Sequence, residues 1–231
     1  FHMAFFHEGK FSSAVMPGMK KSFMEDRIRV FLELGKLALR HKVEYWGWRF
    51  VSWAIHYFQD LTQPYHAKPF PVPVSPILKR FFTNPYLKGF LQRNKNYLTN
   101  RHLLFEAAVH FDLNRALKGA NHHPFLESLA NNGNWSCFNG SINQAMKEIS
   151  FYAALVAREA DRALISLIND PRISWHDWVL EEDKNFKIEE TFSAAVQARP
   201  EAYEELIRKV NVCLQEAGKI TRYLLMTILL D

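Results

Sequence analysis

No stretch of this chain alternates apolar and polar residues in the two-residue rhythm of a half-buried strand, whereas apolar residues recur at helical spacing along most of it. That pattern restricts the fold to the all-α class. Phe23, Ile28, Phe31, Leu32, Leu34, Leu37 and Leu39 mark a helix over 20–41. A second helix is expected over 43–62. Its three tryptophans, Trp46, Trp48 and Trp53, imply burial on most sides and a place near the centre of a bundle. Residues 1–19 read as loop, and 68–85, with Pro69, Pro71, Pro73, Pro76 and Pro85, as extended chain or short broken helices. Helix resumes near 86, is expected to break around Asn94–Asn100, and restarts as a segment carrying His102–Val109. The Asn and Gly content of 119–141 reads as loops around one short helix.

Ser141 is a natural N-cap for a long helix over 141–168, which Asp170-Pro171 ends. A linker with Trp175, His176 and Trp178 leads to a helix over 187–197, and Pro200 opens a last helix running to about 230. The expectation is eight or more helices in one domain spanning 1–231.

Composition agrees with a folded, helix-rich protein: of 231 residues, 48% are hydrophobic and 9 are glycine. The formal charge of +5 suits an anionic substrate or surface, but no Lys/Arg block is dense enough to define a nucleic-acid groove. Cys137 and Cys213 are too few for a disulfide framework and lack CxxC spacing, although one bridge between them is open. The longest apolar run, YLLMTILL at 223–230, falls well short of the roughly 18 residues of a membrane span. The chain opens at Phe1 without an initiator methionine and reads as a fragment or a processed product.

Chemistry concentrates in WAIHYFQDLTQPYH, residues 53–66. His56 and Asp60 stand four apart, so on a helix they share one face. Pro64 stops that helix and forces a turn, which can swing His66 back toward its end. In RHLLFE the same spacing returns as His102 and Glu106. One such pair is a weak signal, because a carboxylate often only orients a packed histidine. Five ligand-type residues in two tight sets are harder to explain by packing alone. Imidazole nitrogen and carboxylate oxygen suit zinc, and neither a thiolate cluster nor an oxygen-only calcium loop is present.

HYFQDLTQPYHA followed by HLLFE resembles the zinc-dependent phospholipase C and single-strand nuclease superfamily, whose members share an HYxxDxxxPxHA stretch and a later HxxxE. The opening HMAFFHEGK also resembles the HFYDPDNGK-type segment of bacterial phospholipases C, with His2, Gly9 and Lys10 in matching places. The resemblance implies an all-α fold holding up to three zinc ions in a cleft. By position, His2, His56 and Asp60 match ligands of a metal pair, with Asp60 the bridging and catalytic carboxylate. His66, His102 and Glu106 match the ligands of a more separate zinc. The family's terminal amine, a further histidine and an aspartate assigned as base would lie upstream of His2. The gap between His66 and His102 is longer than in the bacterial enzymes and is filled by the Pro-rich stretch. His7, 49 residues before His56, is the alternative to His2. His41, His110, His122, His123 and His176 read as structural or surface residues.

The resemblance implies hydrolysis of phosphoester bonds by metal-activated water, with phospholipid head-group cleavage preferred. No nucleophilic serine elbow is needed, and no GxSxG is present. A phospholipid or other phosphodiester is the expected partner, with peripheral contact to a membrane surface, and the family points to a secreted or periplasmic protein. A single-strand nuclease of the same superfamily stays open: Lys68, Lys79, Arg80, Phe81 and Phe82 suit a base and its phosphate as well as a lipid surface. So does a helical interaction protein that has lost catalysis. A di-iron carboxylate bundle is the other reading kept open, although it needs Glu-x-x-His on two helices and this chain has none.

Overall fold

Gly35 and Gly47 decide how the first two helices meet. A Cβ on Gly35 would stand 2.8 Å from Val51 Cγ2, and one on Gly47 would stand 2.6 Å from Leu39 Cγ. The two backbones therefore approach closely, and α1 (Met24–Arg40) and α2 (Glu44–Asp60) form an antiparallel helical hairpin through the turn at 41–43. Glu25 and Asp26 in the first turn of α1 and Arg40 in its last complement the helix dipole.

The computed structural model describes residues 3–7, 22–68, 87–119, 123–130, 141–174 and 178–230, and only the backbone of 87–95 and 229–230. The remaining helices are α3 (Pro64–Ala67), α4 (Leu87–Gly119), α5 (Pro124–Ala130), α6 (Ile142–Ile168), α7 (Ile188–Ala198) and α8 (Pro200–Leu230). Short 3-10 turns occupy Pro171–Ser174 and Leu180–Glu182, and no strand occurs among the described residues. The protein is all-α. None of the described helices is long and apolar enough to cross a membrane. His2, Gly9, Lys10, Lys79, Arg80, Phe81, Phe82, His122, Cys137, Trp175 and His176 lie outside the described residues.

By packing, the chain divides into two compact units, Phe1–Lys68 with Leu126–Ala157 and Asn211–Asp231, and Pro69–Phe125 with Arg158–Val210. In the first, Met24, Ile28, Val51, Ile55, Phe58 and Leu61 of the hairpin bury against Met146 and Ile149 of α6 and Ile220 and Leu224 of α8. Burial of each such side chain stabilises by roughly 1.5–3 kcal/mol. Gly218 lets α8 approach α5 within this unit: an added Cβ would meet the Leu129 carbonyl oxygen at 2.2 Å. That oxygen belongs to backbone and also accepts a hydrogen bond from Arg222. Gly218→Ala is therefore expected to destabilise by about 1–3 kcal/mol through overpacking. Gly119→Ala, which meets nothing within 4 Å among the described residues, should leave the urea midpoint nearly unchanged.

In the second unit α4 packs on α7, where Phe111 stacks with Phe192 at 6.1 Å. Here the structure corrects one expectation. There is no break at Asn94–Asn100; α4 is one helix of 33 residues. Asn100 is buried and directs its side chain outward from the helix: Nδ2 donates to the Trp178 carbonyl at 2.6 Å, and Oδ1 accepts from the Leu180 amide at 2.9 Å. Asparagine lowers helix propensity by at most about 0.7 kcal/mol, while two buried hydrogen bonds contribute about 1 kcal/mol each. Tertiary bonding outweighs propensity.

Other boundaries match. Ser141 Oγ accepts from the Gln144 amide at 3.3 Å, and Pro200 is the first residue of α8. Asn169 adopts the left-handed conformation (φ 51°) just after α6 and before Asp170-Pro171.

One further expectation is corrected. Trp46 and Trp48 are 48% and 36% exposed, because the face of α2 that enters the core is Gly47, Val51, Ala54, Ile55 and Phe58. The large rings are left on the flank. Cys213 is a free, buried thiol among the described residues. Burial, with Glu216 adding to it, pushes its pKa up to about 12, so it packs as an apolar group.

Candidate metal centre

The first unit builds three of the expected ligands on one turn of chain. His56 and Asp60 close α2, and the turn that follows is tied down by Gln59, whose amide donates to Thr221 Oγ1 at 2.9 Å. Pro64 then opens α3 at its first position, where its missing N–H costs nothing. The Gln63 side chain caps this turn by accepting from the amides of Tyr65 and His66. The preceding chain joins in: the Ala4 amide donates to the His66 carbonyl at 3.3 Å. His66 is thus buried and rigidly placed.

The result is a carboxylate between two imidazoles. His56 Nε2 lies 3.5 Å from Asp60 Oδ2, and His66 Nδ1 lies 3.5 Å from Asp60 Oδ1. His66 Nδ1 is nearer the Asp60 main-chain carbonyl, at 3.1 Å, and donates to it. That bond places the ring's lone pair on Nε2, the tautomer that ligates metals. Asp60 Oδ2 is buried and accepts no hydrogen bond. A buried acceptor without a donor costs roughly 1–3 kcal/mol, which a bound cation offsets. The His66 lone pair lies on Nε2 and not on the Nδ1 that faces Asp60, so the two imidazoles and the carboxylate do not converge on one ion; His56 and Asp60 stay a candidate pair of ligands.

The second unit supplies the other pair. His102 Nε2 and Glu106 Oε1 are 2.9 Å apart on α4, with His102 mostly buried and Glu106 exposed. His110, one turn later, takes a hydrogen bond from Asn114 instead, at 2.9 Å.

His7, the alternative to His2, is occupied otherwise. Its Nε2 lies 3.0 Å from the Lys147 carbonyl and 2.9 Å from Ser150 Oγ on α6. Burial, partly countered by the Lys147 carbonyl, holds its pKa below the ordinary imidazole value. His7 is a packing residue. His41 lies at the exposed hairpin turn, and His123 uses Nδ1 to accept from the Phe125 amide at 3.2 Å.

Sequence reasoning passed over Gln63 and Asp112. Glutamine is a weak capping residue, so only its place directly before Pro64 pointed to a role. Asp112 is buried in the second unit with Oδ2 lacking a hydrogen bond, as in Asp60, but its surroundings differ. Tyr203 donates to its Oδ1 at 2.6 Å, Arg115 lies at 3.4 Å, and His123 Nε2 is 3.7 Å from Oδ2. Burial and the Asp112 carboxylate push the Tyr203 hydroxyl well above the usual phenol range, so it stays a donor. This group ties α4 to α8 through Tyr203 and Arg115. No known protein family, curated protein or solved structure gives a match to the chain.

Proposed function

We propose that this protein is a zinc-dependent hydrolase of phosphoester bonds, acting first on phospholipid head groups. The observation that carries this reading is the Asp60 carboxylate, held between His56 and His66 with Oδ2 buried and without a hydrogen bond. In this reading His56 and Asp60, with His2, would hold the paired metals, and His66, His102 and Glu106, the ligand set that the resemblance implies, would hold a further ion. Bound zinc supplies an acidified water and positive charge that clamps a phosphate. The chain's own residues set the conditions for that chemistry. Asp60 would supply the negative charge beside the cations. The Asp60 main-chain carbonyl fixes the His66 tautomer, and Gln63 fixes its turn. Exposed His56 marks the side from which a substrate phosphate enters.

Elemental analysis of the purified protein, paired with hydrolysis of a chromogenic phosphodiester, tests the reading. Zinc should be present, chelation should abolish turnover and lower thermal stability, and added zinc should restore both. Glu106→Ala should release roughly one zinc equivalent, since structural and catalytic zinc needs three or four protein ligands. Unchanged metal content in that variant, or turnover that survives chelation, removes the assignment. Release of phosphocholine from phosphatidylcholine, set against cleavage of a single-stranded oligonucleotide, decides the substrate.

A further inference from the structure

Arg27 is an exposed cation at the end of the helical hairpin that carries His56 and Asp60. It lies in the first turn of α1, and because α1 and α2 run antiparallel, that turn stands beside the end of α2 that bears Tyr57. The contact is direct. Arg27 Nη1 donates to Tyr57 Oη at 2.8 Å, with the guanidinium carbon 5.7 Å from the Tyr57 ring centroid. Phe31 stacks on the same ring at 5.9 Å with an interplanar angle of 12°, which holds the phenol in place. The next ring is His56, its centroid 6.1 Å from that of Tyr57. One aromatic ring thus separates the guanidinium from the largely exposed imidazole of the candidate metal pair.

Among the described residues no carboxylate answers this charge. Positions three and four away on α1 are Phe23, Met24, Val30 and Phe31, none of them acidic. Glu25 is engaged by Arg29 at 2.9 Å and by Asn143 Nδ2 at 3.0 Å. Asp26 follows directly in the sequence and projects about 100° away around the helix. On α2, the Asp60 carboxylate is faced by His56 and His66. Tyr57 Oη accepts from Arg27, and its own O–H donates to no described acceptor. An exposed guanidinium beside a phenolic O–H offers donors only, which is what phosphate oxygens accept.

We propose that Arg27, positioned by Tyr57, binds the phosphate of the substrate beside the His56–Asp60 pair. The planar guanidinium meets two phosphate oxygens at once, a geometry that an ammonium lacks. The part this plays in turnover rests on the hydrolase reading, whereas the binding of phosphate does not. An arginine that merely rests on a ring adds a little stability and binds no phosphate.

Calorimetric titration of the full chain with inorganic phosphate, together with zinc content and Michaelis kinetics on a chromogenic phosphodiester, tests it. Arg27→Met keeps a stem over the Tyr57 ring and removes the charge and its donors. Phosphate should bind this variant about tenfold or more weakly than the parent, the loss expected for a hydrogen bond to a charged group. The difference should persist after chelation, because a guanidinium meets an oxygen without a metal. KM should rise by a similar factor, while kcat changes less and zinc content stays at the parent's value. Arg27→Lys should recover part of the affinity, and Tyr57→Phe, which frees the guanidinium, should cost less than Arg27→Met. No phosphate binding by the parent, equal affinity in parent and Arg27→Met, or loss of zinc from that variant overturns the proposal. A parent without zinc or turnover whose phosphate affinity still depends on Arg27 removes the hydrolase reading and leaves the anion site standing.

Discussion

Under the proposed zinc hydrolase reading, Asp60→Asn is expected to strip one or both paired metals from the protein and most of its phosphoesterase activity, while helical content stays near that of the parent. The substitution keeps the shape of the side chain and removes its charge. In that reading two neighbouring cations would repel, and the Asp60 carboxylate would be the anion that offsets this repulsion. The backbone should not notice. The turn after α2 is held by Gln59 to Thr221, by Gln63 to the α3 amides, and by the Asp60 main-chain carbonyl to His66, and none of these uses the Asp60 side chain. If Asp60 serves only to orient two packed histidines, the variant loses a little stability and keeps its metal and its rate. Zinc stoichiometry and turnover measured on one sample separate the two results, and a variant that retains both sinks the hydrolase reading.

Asp161→Ala is expected to cost about 3–5 kcal/mol, the largest stability loss for a single side chain here, because it strands a buried cation. Arg101 and Asp161 are each about 4% exposed and meet at 2.6 Å within the second unit. The Arg101 guanidinium also lies 4.1 Å from the Tyr97 ring centroid, so it has no easy path to water. Its Nε is already buried without a hydrogen bond. Removing the anion leaves the whole charge unmatched. Arg101→Met combined with Asp161→Leu removes both charges and fills similar volume, so it should cost less than Asp161→Ala alone. Urea denaturation of the single and double variants measures the difference. A double variant that loses as much as Arg101→Met and Asp161→Leu lose separately, added together, would mean that the pair is not coupled.

Sequence alone determined what depends on near neighbours along the chain. Helical periodicity with no strand pattern made the protein all-α, and Ser141, Asp170-Pro171 and Pro200 marked helix ends that the structure places within a residue or two. The i, i+4 spacing put His56 beside Asp60 and His102 beside Glu106, and Pro64 signalled the turn that carries His66. These are properties of a helix and its caps, so a few residues suffice to specify them.

Tertiary structure decided the rest. Whether α4 breaks at Asn100 depended on Trp178 and Leu180, 78 and 80 residues away, which take up the side chain that would otherwise compete with the helix. Which face of α2 is buried depended on Gly35 and Gly47, which let two backbones close on the small residues and leave the tryptophans outside. Hydrophobicity says only that a ring gains by leaving water. It does not say whether the ring finds a core or, as here, stacks with other rings under arginine at the surface. That choice is made by the partner helix, and no local pattern records it.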